Sequence, residues 1–393
     1  MASTIRQSAG RVAALASSSS ASSTRASSTL ANAKTTARVP PQLLSLAQLS
    51  PQQIADVLSL STHFKQVHRQ YSPKHALGDA TTSPAVGKHE GGHLFPQSLR
   101  DRSIALIFSK RSTRTRVSSE TAVAALGGHN LFLGSSDIQL GVNESLYDTS
   151  KIVSSMCDGI IARVNGHDEV ELLAKTADVP VINALSDRYH PMQILADLQT
   201  MTEDAVLSTK TGAAASTAMG PVGALQGLKV AWVGDSNNIL ADMLVSYPRL
   251  GIDLAVAAPK GYERDEIVWG EMEDGLRSTS TPWRKGSVSW TTDPKEALKD
   301  ADVVVTDTWI SMGEESSKEQ RLRDFAGFQV TEALAKAGGA KPDWRFMHCL
   351  PRKANEVDDE VFYGPRSIVF PEGENRRWTT QALADMIFGR WKL

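Results

Sequence analysis

The chain has 393 residues, 41% of them hydrophobic and 22% charged, which is enough for two domains with sizeable cores. Its 42 Lys and Arg nearly balance 44 Asp and Glu, leaving a net charge of −2, which argues against a nucleic-acid partner held by bulk positive charge. No apolar run reaches the ~18 residues of a membrane span, and two cysteines, Cys157 and Cys349, provide no disulfide framework, as suits a reducing compartment.

The first 40 residues hold Arg6, Arg11, Arg25, Lys34 and Arg38, many Ser, Ala and Thr, and no acid; the first acid is Asp56. That is the composition of an organelle transit peptide, and Ile5 to Leu15 suits a short basic amphipathic helix of the mitochondrial import type. A polar tail is the plainer alternative. A helix is predicted from Pro51 to Gln70, with Ser50 as cap and Ile54, Val57, Leu58 and Phe64 on one face. Residues 71–99, rich in Gly, Pro, Ser and His, read as an exposed loop. Strands follow at 103–108, 159–163 and 179–183, with a helix from Thr113 stopped by Gly127 and Gly128.

A helix from His190 to Thr202 leads into a low-complexity stretch, 209–227, that reads as a surface insertion. A second series of strands is predicted at 228–233, 253–257, 302–306 and 345–348, with a helix over 239–250 and a closing helix from about Thr379 to Trp391. Short apolar strands alternating with helices make this an α/β protein of two domains, each a mostly parallel sheet flanked by helices.

Four segments carry chemistry. Ser112-Thr-Arg-Thr-Arg116 places hydroxyls and arginines at a helix start, where free N–H groups and the helix dipole favour an anion; capping alone needs one hydroxyl and no arginine cluster. His190-Pro-Met-Gln193 puts an imidazole and an amide at a second helix start, fit to polarise a carbonyl and hold an amino group, or simply to cap. Asp307, after a buried strand, stands where open α/β sheets bind ligands and suits an ammonium, though it could also cap a helix. Cys349 ends another strand as a nucleophile, base, hydrogen-bonding group or structural thiol.

Together these segments resemble the aspartate/ornithine carbamoyltransferase family, and its ornithine branch in particular. Ser112–Arg116 matches the carbamoyl-phosphate loop, and His190–Gln193 the His-Pro-x-Gln element. Asp307 with Ser311-Met-Gly313 matches the ornithine-type Asp-x-x-x-Ser-Met-Gly, and His348-Cys-Leu-Pro351 the ornithine-type His-Cys-Leu-Pro. The similarity runs from about residue 42 to 393, with insertions near 71–98 and 205–224.

The resemblance implies transfer of a carbamoyl group from carbamoyl phosphate to the side-chain amine of L-ornithine, in a cleft between the two domains. It implies that Ser112, Thr113, Arg114, Thr115, Gln139, Arg163, His190, Gln193 and Arg376 bind the donor. Asn238, Asp307, Ser311, Met312, Cys349 and Leu350 would hold ornithine, with Cys349, Asp307, Arg163 and His190 as the catalytic set. Gln139 would reach a neighbouring subunit's site in a homotrimer. The implied divisions are a transit peptide at 1–38, a donor domain at 39–187 with helix 379–393 packed back on it, and an amine domain at 188–378. A mitochondrial matrix location is implied, and no metal, cofactor, nucleic acid or membrane.

Three rival readings remain. A dinucleotide enzyme needs Gly-x-Gly-x-x-Gly after a strand, whereas Gly234-Asp-Ser-Asn-Asn238 lacks it. A carbamoyltransferase for another amine, such as putrescine, and a non-catalytic relative are the other two. Comparison of ornithine with putrescine, and a citrulline assay, separate them.

Overall fold

The structure, a computed structural model, describes residues 40–71, 92–135, 144–210, 220–280, 284–310 and 315–393. The expected transit peptide, Gln139 and the Ser311-Met-Gly313 motif lie outside the described residues.

The first sheet contains β1 (Gln42–Leu43), β2 (Ser103–Phe108), β3 (His129–Gly134), β4 (Gly159–Arg163) and β5 (Val181–Leu185), ordered β1-β5-β4-β2-β3. The second contains β6 (Lys229–Val233), β7 (Asp253–Ala257), β8 (Val288–Thr291), β9 (Val303–Thr306) and β10 (Arg345–His348), ordered β10-β9-β6-β7-β8. Every pairing between these strands is parallel. Helices α1 (Pro51–Tyr71), α2 (Thr113–Ala125), α3 (Leu146–Met156), α4 (His167–Thr176), α5 (Pro191–Glu203) and α6 (Ala205–Lys210) accompany the first series. Then come α7 (Asn238–Ser246), α8 (Glu266–Ser278), α9 (Pro294–Leu298), α10 (Lys318–Asp324), α11 (Glu332–Gly338), α12 (Asp359–Tyr363) and α13 (Val369–Ala384). None of the described helices is long and apolar enough to cross a membrane.

Sheets covered on both faces require strands without polar alternation. Ile104 to Phe108 of β2 and all of β4 are buried accordingly. The pairing of β4 with β5 slips between Ala162 and Arg163, a bulge that falls on a candidate site residue.

Several sequence expectations need correction. The third strand starts at Val181, because Pro180 has no N–H and contributes only its carbonyl, to Ile160 N. The expected loop at 71–99 is not wholly exposed: Phe95 packs edge-on against Phe64, and Leu99 is fully buried. The flanks of the expected surface insertion also enter the core through Leu207, Val222 and Leu225. The last helix begins at Val369 and ends in a wider turn over Asp385–Gly389. Pro371 sits in the first turn, where it removes no hydrogen bond. This helix packs against α1, α2 and α5 and brings Arg376 to the site.

Candidate active site

A cavity of about 730 Å3 opens where strands of both sheets end. One wall is the start of α2. Ser112 caps that helix, its hydroxyl accepting from Thr115 N at 3.3 Å, so the first-turn N–H groups and Arg114 line the cavity together. The end of β4 supplies Arg163, the start of α5 His190, and α13 Arg376. The second sheet supplies Asp307 beyond β9, and Cys349 and Leu350 beyond β10.

Four of the residues expected at the donor, Thr115, His190, Gln193 and Arg376, lie together. Arg376 Nη1 donates to Gln193 Oε1 at 2.8 Å and its Nη2 to Thr115 Oγ1 at 3.2 Å, with His190 Nε2 3.5 Å from Nη1. The buried Nε of Arg114, Arg163 and Arg376, and Nδ1 of His190, have no hydrogen-bond partner among the described residues. Buried donors of this kind call for an anionic or carbonyl ligand. Burial, followed by the charges of Arg376, Arg163 and Arg114, pushes His190 well below the usual imidazole range. The ring is therefore neutral at physiological pH. Burial likewise lowers Arg163 to about 10, with Cys349 acting upwards and Arg114 downwards.

On the other wall, Cys349 Sγ donates to Asp307 Oδ1 at 2.9 Å, and Asn237 Nδ2 donates to Asp307 Oδ2 at 2.9 Å. Burial raises the Cys349 thiol well above its ordinary value, and Asp307 adds to the shift both by charge and by accepting the S–H. The resting thiol thus keeps its proton. Leu350 has φ 61°, the left-handed region that costs a non-glycine residue about 1–2 kcal/mol. Its N–H is anchored on His348 Nδ1 at 2.8 Å, and its carbonyl receives Arg114 Nη2 from the opposite wall. Asn238 also lines the cavity but gives its side-chain N–H to Ser186 O at 2.6 Å. Asp307, His348 and Cys349 bring three potential metal ligand atoms within 4.8 Å of one another. Two of them are already joined by the thiol bond, and His348 Nδ1 holds the Leu350 N–H.

The described residues of the expected set are gathered here; Gln193 stands just behind, holding Arg376. Sequence reading missed the groups that hold Gln193. Its amide N–H groups go to Asp197 Oδ1 at 2.8 Å and Glu372 Oε1 at 2.7 Å, while Glu372 Oε2 accepts from His348 N at 3.0 Å. Burial raises both carboxyls, Glu372 further because Asp197 lies against it. Through Gln193 and Glu372, α5 is tied to the strand end that bears Cys349. Gln193 and Asp197 lie one helical turn apart, the only sequence signal for this pair.

Residues 42–203 match the family profile described as the carbamoyl-P binding domain of aspartate/ornithine carbamoyltransferase. Residues 226–387 match its Asp/Orn binding domain. The chain belongs to the aspartate/ornithine carbamoyltransferase family. Among its relatives, the mitochondrial ornithine carbamoyltransferase of Emericella nidulans is 48% identical over 356 residues, 90% of this chain and 91% of that protein. The mitochondrial ornithine carbamoyltransferase of Schizosaccharomyces pombe is 46% identical over 351 residues, 89% and 95% of the two chains. The crystal structure of a mitochondrial ornithine carbamoyltransferase from Coccidioides immitis superposes with a TM-score of 0.75 at 42% identity, covering 91% of this chain and 99% of that one. The ornithine carbamoyltransferase of Pyrococcus furiosus gives 0.74 at 38% identity, with 89% and 98% covered. The two sheets of this family member thus carry the two halves of one cavity.

Proposed function

We propose that the protein transfers the carbamoyl group of carbamoyl phosphate to the side-chain amine of L-ornithine, giving L-citrulline and phosphate. The observation that carries this reading is the cavity itself: a cluster of arginines with unsatisfied buried donors faces a Cys349–Asp307 pair across one space.

In this reading Ser112, Thr113, Arg114 and Thr115 hold the phosphate, with Arg376 beside them. Arg163, His190 and Thr115 stabilise negative charge on the carbonyl oxygen as the amine attacks, and Gln193 steadies Arg376 and the carbamoyl amino group. The amine nitrogen bonds to the carbonyl carbon, the carbon–oxygen bond to phosphate breaks, and the nitrogen loses a proton. A free alkylamine resembles lysine, with a pKa of about 10.4, so neutrality near pH ~7.5 costs about 4 kcal/mol. The three arginines oppose a second positive charge and so favour the neutral amine. Cys349 keeps its proton in the resting site, so it aims the amine together with Asp307, and the Asp307 carboxylate is the base within reach.

The same reading gives the donor mainly to residues 39–187, joined by His190, Gln193 and Arg376 from 188–378, which otherwise hold ornithine. Asn238, Leu350, Ser311 and Met312 complete the amine site, and Gln139 serves a neighbouring subunit in a homotrimer. The mitochondrial relatives and the acid-free N-terminal composition support a mitochondrial location. Purified protein given carbamoyl phosphate and ornithine should form citrulline, with ornithine preferred over putrescine at equal concentration. Preference for putrescine, or no product, would overturn the assignment.

A further inference from the structure

The edge of the second sheet is covered by a segment that also reaches the donor side of the cavity. β10 is the outermost strand there, so its outward N–H and C=O groups need partners beyond the sheet. Phe346 N donates to Arg366 O at 2.9 Å, and Phe346 O accepts from Ile368 N at 3.0 Å. Two residues on, at the end of the strand, the N–H of His348 goes instead to a side chain, Glu372 Oε2, at 3.0 Å.

Any acceptor would satisfy that N–H. Glu372 does more, because its other oxygen accepts from Gln193 Nε2 at 2.7 Å. Arg376, one helical turn further along α13, donates to the other end of the same amide, Gln193 Oε1, at 2.8 Å. One helix face thus fixes the amide at both ends. Beyond Arg376 the line of bonds runs on to Thr115 Oγ1. On the other side His348 Nδ1 holds the Leu350 N–H, and Cys349 between them is bonded to Asp307. Glu372 is 1% exposed. Burying a carboxyl costs far more than covering a sheet edge requires, and what it supplies in return is two acceptor oxygens set in one plane.

We propose that Glu372 is a positioning residue for the transfer step: one carboxyl holds the strand end that bears Cys349 and, through Gln193, the arginine that faces the donor. This rests on the carbamoyl-transfer reading. Transfer needs the amine and the carbonyl carbon within about 3–3.5 Å of each other, and the groups that hold them stand at the ends of different sheets. Arg114 also crosses the cavity, to Leu350 O, but with a guanidinium that the donor itself would engage. Glu372 stands behind the cavity lining, so its bonds survive ligand binding and keep the two sides in register.

The test uses the full chain with Glu372→Leu and Glu372→Gln. It reads kcat, both KM values and the rate at which iodoacetamide alkylates each cysteine. Glu372→Leu loses both bonds, so kcat should fall about 100-fold, the cost of a misplacement of about 1 Å. Cys349, loosened from Asp307, should alkylate about tenfold faster, while buried Cys157 stays as slow as in the wild type. In Glu372→Gln the His348 N–H cannot turn away, so the amide oxygen should face it and the NH2 should face Gln193 and Asp197. The ornithine KM and Cys349 labelling should then stay within about twofold, and the carbamoyl phosphate KM should rise about two- to tenfold, the loss of one hydrogen bond. A folded Glu372→Leu enzyme with kcat within about threefold of wild type would reduce Glu372 to an edge cover. Equal acceleration at Cys157 and Cys349 would mean general loosening and would equally overturn the assignment. Should Glu372→Leu not fold, Glu372→Gln decides: both KM values moving together, or neither moving, removes the positioning role. A wild-type protein that forms no citrulline defeats the functional reading, and the labelling then still decides whether Glu372 places Cys349.

Discussion

Arg114 donates to the Leu350 carbonyl across the cavity, yet its Nε stays buried without a partner. Arg114→Ala should therefore raise the carbamoyl phosphate KM roughly 30- to 1000-fold, corresponding to about 2–4 kcal/mol for a hydrogen-bonded charge. The melting temperature should move by only a few degrees, so near-normal donor kinetics would refute the anion site. Cys349→Ser keeps a donor for Asp307 on a shorter arm; steady-state kinetics should show a higher ornithine KM with the donor KM little changed. An unaltered ornithine KM would make the thiol structural. At this scale the sequence was most legible where residue types form a motif, as at 112–116, 190–193 and 348–351. Asp197 and Glu372 were not, because each becomes meaningful only when α5 and α13 meet. Asn237 was not named as a site residue in the sequence reading; it donates to Asp307, while Asn238, which was named, lines the cavity and donates to Ser186 O.

Elements with buried apolar runs were readable from the sequence: β2, β4, β7 and β10 lie where expected. The three missed strands, β1, β3 and β8, are sheet edges: β1 has only two residues, and β3 and β8 are mostly half-buried or exposed, so they lack the run that marks an interior strand. Helix α13 was expected only from about Thr379 but starts at Val369, with Pro371 and Gly373 in its early turns. Its seat depends on close approach further along, where a Cβ on Gly159 would collide with the Phe388 ring. Gly159→Ala should cost about 1–3 kcal/mol of stability, as overpacking does, measurable by denaturant unfolding. It should also weaken donor binding, because Arg376 is carried on the same helix. A stable variant with a normal donor KM would show that the ring yields without moving the helix.

Across the whole molecule, α7 and the turn that follows it, Pro248–Leu250, hold the early chain to the rest. Asp242 Oδ1 accepts from Leu46 N at 2.8 Å, and Arg249 donates to the carbonyls of Leu46 and Leu49 at 2.6 and 2.9 Å. Burial pushes the Asp242 carboxyl up to about 8, against the pull of the Leu46 and His190 N–H groups and of Arg249; Glu271 adds to the rise. An ordinary aspartate titrates near 3.9, so between about pH 4 and pH 8 the unfolded chain binds fewer protons than the folded one. Stability from this group is therefore full at low pH and lost as pH rises towards 8. Asp242→Asn cannot ionise. Its melting-temperature deficit against wild type should be largest near pH 5 and shrink by pH 8.5; a constant deficit would mean that the carboxyl does not titrate in this window.

Arg376 meets Thr115 across 261 positions of sequence. During synthesis, the proposed phosphate cradle at the start of α2 emerges long before the arginine that completes it. Any carbamoyl phosphate met by a half-made chain finds an incomplete grip, so the ligand can stabilise only molecules whose late segment has been made and docked. Occupancy of this pocket would then report on finished copies, and added donor should protect newly folded protein from proteolysis only after the last helix is in place.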